Sequence, residues 1–435
     1  MGKWAVAALL VLGMLLACAA WAEDAPTMQS VTAEALARSA ELSSLRAQVE
    51  AAEAMIAPAG ALPDPMLSVG LKSIPVDAGI RIDQDAMSGL EVMLSQEVPR
   101  SAKRRLRQGI QGGEVAMVRA RYEDKRLDIV RRAKQAYLGV QSVDAQMAIA
   151  EQNRDLAQDM LSAAEAAYGT GKVMQQDVFQ AQVRLSQMVD MLISLEGERA
   201  AAQARLNRLL YRPPDQPFPK LPPPLPGPRP LAPGPRPLIE QAETASPKLA
   251  EMRARVGQAE QSEGLAAEEI KPDYRLDFSY MIREPVGMDP MSGTDMWSAG
   301  VGINLPWFRR RQTVDQDVRA ARAARLAAEQ DVEAMRNELA GMIQEMVVEV
   351  GRADRQLSLL DTGLLPQAEG AFAASRTSYG TGQGDIMDLL ANQMNLYNLQ
   401  VQRVMLVAER ERNLAELEYL VGGPLTPSEA KPHAQ

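Results

Sequence analysis

The chain has 435 residues, a formal net charge of −9, and aromatic side chains at only 4% of its positions. Its wealth of Ala, Leu, Met, Gln, Glu and Arg favours long helices, and its acidic balance argues against a nucleic-acid-binding protein. One cysteine, Cys18, and one histidine, His433, exclude disulfide frameworks, zinc sites and Cys/His dyads. Ser/His/Asp chemistry would depend on His433, which lies in a polar tail. We therefore expect neither an enzyme nor a bound cofactor.

Residues 1–22 have the pattern of a signal peptide. A positive residue precedes an apolar run at 5–17, and Ala-Trp-Ala at 20–22 fits the small-x-small cleavage rule. The alternative is a lipoprotein signal with Cys18 as the acylated residue, which the untypical Leu16 disfavours. Either signal exports the chain, and since no other apolar run of about 18 residues follows, we expect no transmembrane helix.

The chain contains an internal duplication. Tyr-Gly-Thr-Gly at 168–171 recurs at 379–382, and Asp177 recurs as Asp388 at the same offset. Upstream, the Pro-Asp at 63–64 and the Val-Pro at 98–99 also have counterparts, at 272–273 and 305–306. An ordered set of matches indicates two repeats, which we place at 23–212 and 238–423. Between them lies a linker at 213–237 with 13 prolines, predicted to be extended, and a tail follows at 424–435.

Each repeat contains two very long helical patterns. From Ser101 to Ala167 there is no proline, and apolar residues step alternately by four and three. A second run of this kind extends from Val178 to Leu209, interrupted by Arg199. A 3.5-residue period of this length predicts coiled-coil seams, so each repeat should form a long antiparallel helical hairpin. In the second repeat, Pro366 should kink or interrupt the first long helix.

Ahead of each hairpin the hydrophobic period changes to two. Four strands of roughly 9–11 residues are predicted, around 67–71, 90–98, 274–282 and 297–305. A soluble antiparallel sheet would show the same alternation. Charged residues at the alternate positions suit a wet lumen, however, and Tyr274, Trp297 and Trp307 could be interfacial aromatics. Four strands cannot close a barrel and lipid does not tolerate an open edge, so a membrane sheet would require several chains.

These motifs resemble the TolC family of bacterial outer-membrane efflux channels. The resemblance rests on Leu-Pro-Asp-Pro at 62–65, Ser-Gln-Glu-Val-Pro at 95–99, Asn-Leu-Pro-Trp-Phe at 304–308, the paired Tyr-Gly-Thr-Gly motifs, and the segment 386–398. It implies a mainly α chain with a small β part. Three chains would form one twelve-stranded outer-membrane β-barrel, continued by a long α-helical barrel across the periplasm. The implied function is the passive exit duct of a tripartite efflux system.

The implied partners are a second and third copy of the chain, outer-membrane lipid, a periplasmic adaptor protein and an inner-membrane pump of the RND type. The family docks its adaptor at the hairpin tips, which are the six residues Gly169, Thr170, Gly171, Gly380, Thr381 and Gly382. A finer resemblance, to channels of heavy-metal pumps, rests on residues 70–76 and 281–283. Copper, silver, cobalt, zinc or cadmium ions are therefore candidate substrates.

Three loop methionines are candidate metal ligands. Met288, Met291 and Met296 lie in a predicted hairpin loop among Gly, Pro and Asp. Thioethers bind soft ions such as Cu(I) and Ag(I). The alternative is that methionine fills gaps between packed elements, as it does in most cores.

Acidic residues near the tips are candidates for a periplasmic gate. Asp388 matches a family position where aspartates narrow the entrance, and Asp177 is its counterpart in the first repeat. Like charges that converge on one axis attract cations and raise each other's proton affinity. The family often has a second aspartate one turn later, but here that position is Ala391, and Asp385 could substitute. The alternative is that these aspartates only cap helices, which is favoured for Asp385. It is weaker for Asp388, which we place two or more turns inside its helix.

Other classes of function remain open at this point. A periplasmic coiled-coil adaptor or a structural protein of an envelope complex would also contain long helical hairpins, but not two matched halves with four strands. A drug efflux or type I secretion duct of the same family would share every feature except the substrate.

Overall fold

A computed structural model describes residues 26–76, 81–83, 85–223, 234–287, 293–305, 313 and 315–425. The predicted signal peptide with Cys18, His433, Trp307, and the candidate ligands Met288 and Met291 lie outside these residues.

The first half of the chain runs from short helices through a β-hairpin into a helical hairpin. Its elements are α1 (Met28–Arg38), α2 (Ala40–Ala54), α3 (Ile56–Ala59), β1 (Met66–Lys72), β2 (Gly89–Val98), α4 (Ser101–Gly169) and α5 (Gln175–Leu209). The 69-residue α4 has no interruption.

The second half repeats this order, which confirms the duplication. Its elements are α6 (Pro235–Ala245), α7 (Pro247–Glu268), β3 (Tyr274–Arg283), β4 (Met296–Ile303), α8 (Asp315–Leu359), a π-helical turn (Leu360–Leu364), α9 (Leu365–Gly380) and α10 (Ile386–Val421). The interruption predicted at Pro366 is present as the π-helical turn, which separates α8 from α9. Pro366 lies in the first turn of α9, where a proline is tolerated. Helix α6 begins inside the predicted linker, since proline is tolerated in a first turn.

The chain divides into two compact units. The helical unit comprises the described residues of the ranges 1–43, 124–246 and 338–435, and the sheet unit those of the ranges 44–123 and 247–337. Both long first helices, α4 and α8, therefore contribute to both units. Among the described residues, no helix combines the length and apolar character needed to cross a membrane.

In the helical unit the predicted seams form the core. Along α4, the residues from Ile129 to Ala150 that follow the four–three step are buried, except the half-buried Ala136. On α5, Ala181, Met188 and Leu192 are buried in the same way. The predicted seams are therefore the buried faces along which these helices pack.

The sheet unit contains one antiparallel sheet in the order β1-β2-β3-β4. The prediction of 9–11 residues per strand is wrong for β1 and β4, which have 7 and 8 residues. Strand β1 ends where Ser73 adopts a positive φ of 57°. Strand β4 ends at Ile303 rather than Leu305, because the side chain of Asn304 turns back to accept the N–H of Asp273 at 2.6 Å.

The two faces of the sheet differ sharply. One face is apolar and exposed in the single chain; it carries Leu67, Val69, Leu71, Leu94, Leu276, Phe278, Tyr280, Ile282, Trp297, Val301 and Ile303. Trp297 is 70% exposed and stacks on Phe278 with ring centroids 6.3 Å apart. The opposite face carries Lys72, Glu91, Ser95, Asp277 and Arg283. An apolar face of this size on a soluble monomer would be an association hazard.

At the start of α4, sequence motifs of the two repeats contact each other. Lys103, which is fully buried at the start of α4, donates to Asp273 at 2.8 Å and to the carbonyl of Lys271 at 2.9 Å. The backbone N–H of Arg100 also donates to Asp273, at 3.0 Å. The basic cluster and the Pro-Asp motif are therefore parts of one strand-to-helix junction.

Candidate functional site

The two hairpin tips have the same turn geometry. In the first, the N–H of Gly171 bonds the carbonyl of Tyr168 at 2.9 Å, and the N–H of Lys172 bonds that of Ala167 at 3.0 Å. In the second, Gly382 and Gln383 make the equivalent bonds to 379 and 378, at 3.0 and 2.9 Å. This is the Schellman ending of a helix, which requires a left-handed residue. Gly171 and Gly382 supply it, with φ of 69° and 75°.

The other tip residues extend these turns. Gly169 and Gly380 are the last residues of α4 and α9, and Thr170 and Thr381 follow them. All six residues are exposed. Each threonine hydroxyl bonds a carbonyl of its own turn, at 2.9 and 3.0 Å, so the turns are internally bonded and present their outer surface to solvent.

A shared hydrophobic cluster joins the two tips within the helical unit. Its buried members come from both hairpins; they are Met160, Leu161, Ala164, Ala181, Ile386, Leu389 and Leu390. Phe372 and Tyr379 pack against it from α9. The candidate gate residues of the two repeats thus lie at the same end of this unit.

Asp177 is engaged at the start of α5. Its carboxylate accepts the backbone N–H of Met174 at 3.0 Å, as a third residue does in a capped helix. Burial and the nearby charge of Asp177 raise the pKa of the Tyr379 phenol. Asp177 therefore has a structural role at the tip and faces the second repeat.

Asp388 has a different setting. The expectation that it lies two or more turns inside its helix is wrong, because α10 begins at Ile386 and Asp388 is the third helical residue. The cap of this helix is instead Asp385, whose carboxylate accepts the N–H of Met387 at 2.9 Å. Asp388 is exposed, and across the described ranges its carboxylate shows no hydrogen bond or ion pair.

A groove lies between α5 and α10 beside the tips. It has a volume of about 450 Å³ and is lined in part by Phe179, Val183, Met387, Leu390 and Ala391. Ala391, which stands where the family often has a second aspartate, thus belongs to a largely apolar surface.

Sequence reasoning missed two ion pairs, each of which has one buried side chain. Arg199, which seemed only to interrupt a seam, bonds Asp144 of α4 at 2.6 Å. Arg410, at the same 211-residue offset as the tips, bonds Asp354 of α8 at 2.5 Å. The signal available in the sequence was an arginine at equivalent places in two apolar seams.

The candidate metal ligands are only partly placed. Met296 is the first residue of β4, on the polar face, and Met288 and Met291 lie outside the described residues. In the ranges that the structure covers, no group of three His, Cys, Asp or Glu residues has the arrangement of a metal site.

A profile of outer membrane efflux proteins matches residues 31–210 and 238–423, one repeat each. The chain belongs to the outer membrane efflux protein family. Members of this family are passive channels, not enzymes, so the chain is a transport protein of the outer membrane that extends into the periplasm. They work as trimers with adaptor and inner-membrane pump partners.

Solved structures share the fold of this chain. The outer-membrane channel OprN has a TM-score of 0.76 at 18% identity, covering 92% of this chain and 91% of that one. VceC from Vibrio cholerae has a TM-score of 0.74 at 19% identity, covering 91% and 96%. CusC has a TM-score of 0.72 at 16% identity, covering 92% and 93%. No curated protein matches the chain significantly.

Proposed function

We propose that three copies of this chain form the exit duct of a tripartite efflux system, which passes substrates from the periplasm to the exterior. The observation that carries the proposal is the four-stranded sheet with one exposed apolar face and one polar face. Lipid covers the first face and water the second when the sheet closes into a barrel. In the described residues the outer edges of β1 and β4 remain unpaired, so closure requires further copies.

A second apolar seam on α5 supports assembly of copies through the helices. Phe179, Val183 and Ile193 are 55–62% exposed, on the side of α5 away from its buried seam. Phe179 and Val183 are four residues apart, as are Ile193 and the exposed Val189, so each pair shares one side of the helix, as a coiled-coil helix with two neighbours requires. A helix of an adjacent copy would cover this seam.

The tips support a cation-attracting periplasmic end. In a trimer, Asp388 and Asp177 would each contribute three carboxylates, and Asp385 would add three more around one axis. Converging carboxylates attract cations and resist further negative charge. We propose Asp388 as the main gate residue, because its carboxylate is exposed, whereas Asp177 and Asp385 are engaged in helix starts.

For the substrate we propose heavy-metal ions, with copper and silver or cobalt, zinc and cadmium as the candidates. Support comes from the resemblance at 70–76 and 281–283 and from the placement of Met296 on the polar face. Deleting the gene should lower the inhibitory concentration of these metals for the host and leave organic drugs unaffected. Drug sensitivity without metal sensitivity would instead identify a drug duct.

Assembly and conduction test the channel proposal directly. We expect the purified chain in detergent to be a trimer by light scattering and to conduct ions in planar bilayers. A monomer without conductance would contradict the proposal and favour an adaptor or structural protein.

Crosslinking tests the docking of the adaptor at the tips. Cysteine at Gly171 or Gly382 would be strained by the positive φ, so Thr170→Cys and Thr381→Cys are the better probes. We expect both to crosslink to the cognate adaptor in cells, since both side chains are exposed. Labelling of these cysteines from outside intact cells would reverse the proposed orientation.

A further inference from the structure

Methionine is distributed unevenly between the two faces of the sheet. Each strand contains one methionine, and all four, Met66, Met93, Met281 and Met296, lie on the polar face. The apolar face of the strands carries none. Packing alone would place an unbranched apolar side chain on the apolar face, so a role in filling gaps does not explain this arrangement.

The strand register brings these four side chains into one row. Met281 lies directly opposite Met296. Met93 pairs with Ser279 and is therefore a diagonal neighbour of Met281. Met66 pairs with Ser95 and is a diagonal neighbour of Met93. Directly opposed Cβ atoms lie about 5 Å apart and diagonal neighbours about 7–8 Å apart, so neighbouring thioethers can reach a common ion.

The surroundings leave the row open. Gly70 and Gly300 lie on the same face, and a Cβ added at either would meet no atom within 4 Å. Met66 is 68% and Met296 43% exposed. The adjacent carboxylate of Glu91 is engaged by Lys72, at 2.7 Å. The thioethers are thus the accessible soft ligands of this face.

We propose that this methionine row, Met66, Met93, Met281 and Met296, binds soft monovalent cations, Cu(I) or Ag(I). Thioethers select such ions over hard divalent ones. The row offers successive pairs of sulfur atoms rather than one enclosed cage, and conduction requires sites that are numerous and weak enough to release the ion. The proposal deepens the proposed function and rests on it, because it treats the polar face as the wall of the duct.

The test is silver binding by the full-length protein in detergent. Silver nitrate is titrated in chloride-free buffer by isothermal titration calorimetry, with wild type and the double variant Met281→Leu/Met296→Leu. Leucine preserves volume and apolar character. Losing a residue that only hydrogen-bonds a metal ligand typically weakens metal binding about 10- to 100-fold. Replacing two of the ligands themselves should therefore lower silver affinity at least about tenfold. Met93→Leu should give a smaller loss.

The matched control removes two exposed thioethers elsewhere. Met387 and Met405, both on α10, are 50% and 53% exposed, and Met387→Leu/Met405→Leu should leave silver affinity unchanged. Equal affinity of wild type and the Met281→Leu/Met296→Leu variant, or an equal loss in the control, would overturn the proposal. Conductance of the wild type in planar bilayers distinguishes a failure of the methionine-row proposal from a failure of the duct proposal. A conducting trimer that binds no silver contradicts the methionine row alone, whereas a chain without conductance contradicts the duct itself.

Discussion

The first helical hairpin, α4 and α5, and the second, α8 to α10, each contain an arginine–aspartate pair between their helices. The Arg199 Nε–Asp144 Oδ1 distance is 2.6 Å, and the Arg410 Nε–Asp354 Oδ1 distance is 2.5 Å. Their burial is reversed, because the carboxylate is the buried partner in the first pair, with Asp144 2% exposed, whereas the guanidinium is the buried partner in the second, with Arg410 4% exposed. Duplication therefore kept the ion pair but not its setting.

The difference arises from the proline-rich segment that follows the first hairpin. The second oxygen of Asp144 accepts the N–H of Leu221 at 2.9 Å, and Arg199 donates to the carbonyl of Phe218 at 3.0 Å. In the second pair, Arg410 bonds Glu411 in addition to Asp354. The first pair fastens the linker to its hairpin. Proline-rich chain lacks many of its own donors, so its remaining backbone groups find partners on the helices.

Removing the first carboxylate should have the largest effect on stability. Asp144→Asn removes the buried carboxylate that neutralises Arg199 and bonds the linker, and breaking a buried pair typically costs about 3–5 kcal/mol. We expect Asp354→Asn to cost less, because Arg410 keeps its ion pair with the carboxylate of Glu411. The midpoint of guanidinium unfolding, followed by far-UV circular dichroism, measures both.

Equal shifts for the two variants would contradict the proposed difference between the hairpins. A larger shift for Asp354→Asn would reverse it. Met387→Leu, a substitution at an exposed helical site, provides the baseline for both measurements.

The pair also shows what the sequence could and could not predict. Period and proline content were enough to locate the helical hairpins, the strands and the break near Pro366, since these features depend on local pattern. Arg199 interrupts a seam, and only its contact with Asp144, 55 residues earlier, reveals its role. Ion pairs between distant residues depend on helix register, which a 3.5-residue period does not specify residue by residue.

A second test separates the linker from the ion pair. Asn207 is fully buried on α5 and donates to the carbonyl of Gln216 at 2.7 Å. Asn207→Ala leaves that carbonyl with a single donor, the side chain of Gln203 at 2.9 Å, so we expect a loss of about 0.5–1.5 kcal/mol and faster trypsin cleavage at Lys220. Ser194→Ala is the control, because its hydroxyl bonds a carbonyl within α5. An unchanged cleavage rate for Asn207→Ala would show that the linker is held by other contacts.

At the tips, the two repeats can be compared by channel function as well as by stability. Asp177→Ala removes the bond to Met174, so we expect a loss of about 1 kcal/mol, as for other helix caps. Asp388→Ala should leave stability unchanged, raise single-channel conductance and weaken block by divalent cations from the tip side. Bilayer recordings and unfolding curves of both variants give the two readouts.

Wild-type conductance and wild-type divalent block in both variants would show that neither aspartate gates the channel. The two residues would then be ordinary features of a helix start. A conductance change in Asp177→Ala alone would transfer the gate to the first repeat.

The tips and the capping role of Asp385 were expected from sequence, but the position of Asp388 within its helix was not. Gly171 and Gly382 were expected at the turns, because few other residues adopt a positive φ. The depth of Asp388 was misjudged since the start of α10 depends on Asp385 acting as cap, a detail of one or two residues. The distribution of methionine between faces became visible only through the register of the four strands.

The smallest expected effect is the pH dependence of folding stability that Asp273 contributes at the strand-to-helix junction. Asp273 of the second repeat is half-buried beside Lys103, whereas its counterpart Asp64 in the first repeat is exposed. Burial opposes ionisation of Asp273, but the Lys103 ammonium and the N–H of Arg100 outweigh it and hold the pKa of this carboxyl below its ordinary value of 3.8. An acid with a lowered pKa stabilises the folded state fully above that value and loses the contribution as the pH falls through the folded pKa.

Wild type should therefore be more stable than Asp273→Asn at neutral pH. The gap, which is the difference between their free energies of unfolding, should narrow as the pH falls below 3.8. The narrowing follows because a protonated aspartate resembles asparagine in charge. Guanidinium midpoints at several pH values measure the gap, and other titrating groups cancel in the difference. Asp64→Asn, at an exposed position, should leave the free energy of unfolding at neutral pH close to that of wild type. A gap for Asp273→Asn that stays constant into acid would mean that the Lys103 contact acts through packing rather than through the charge of Asp273.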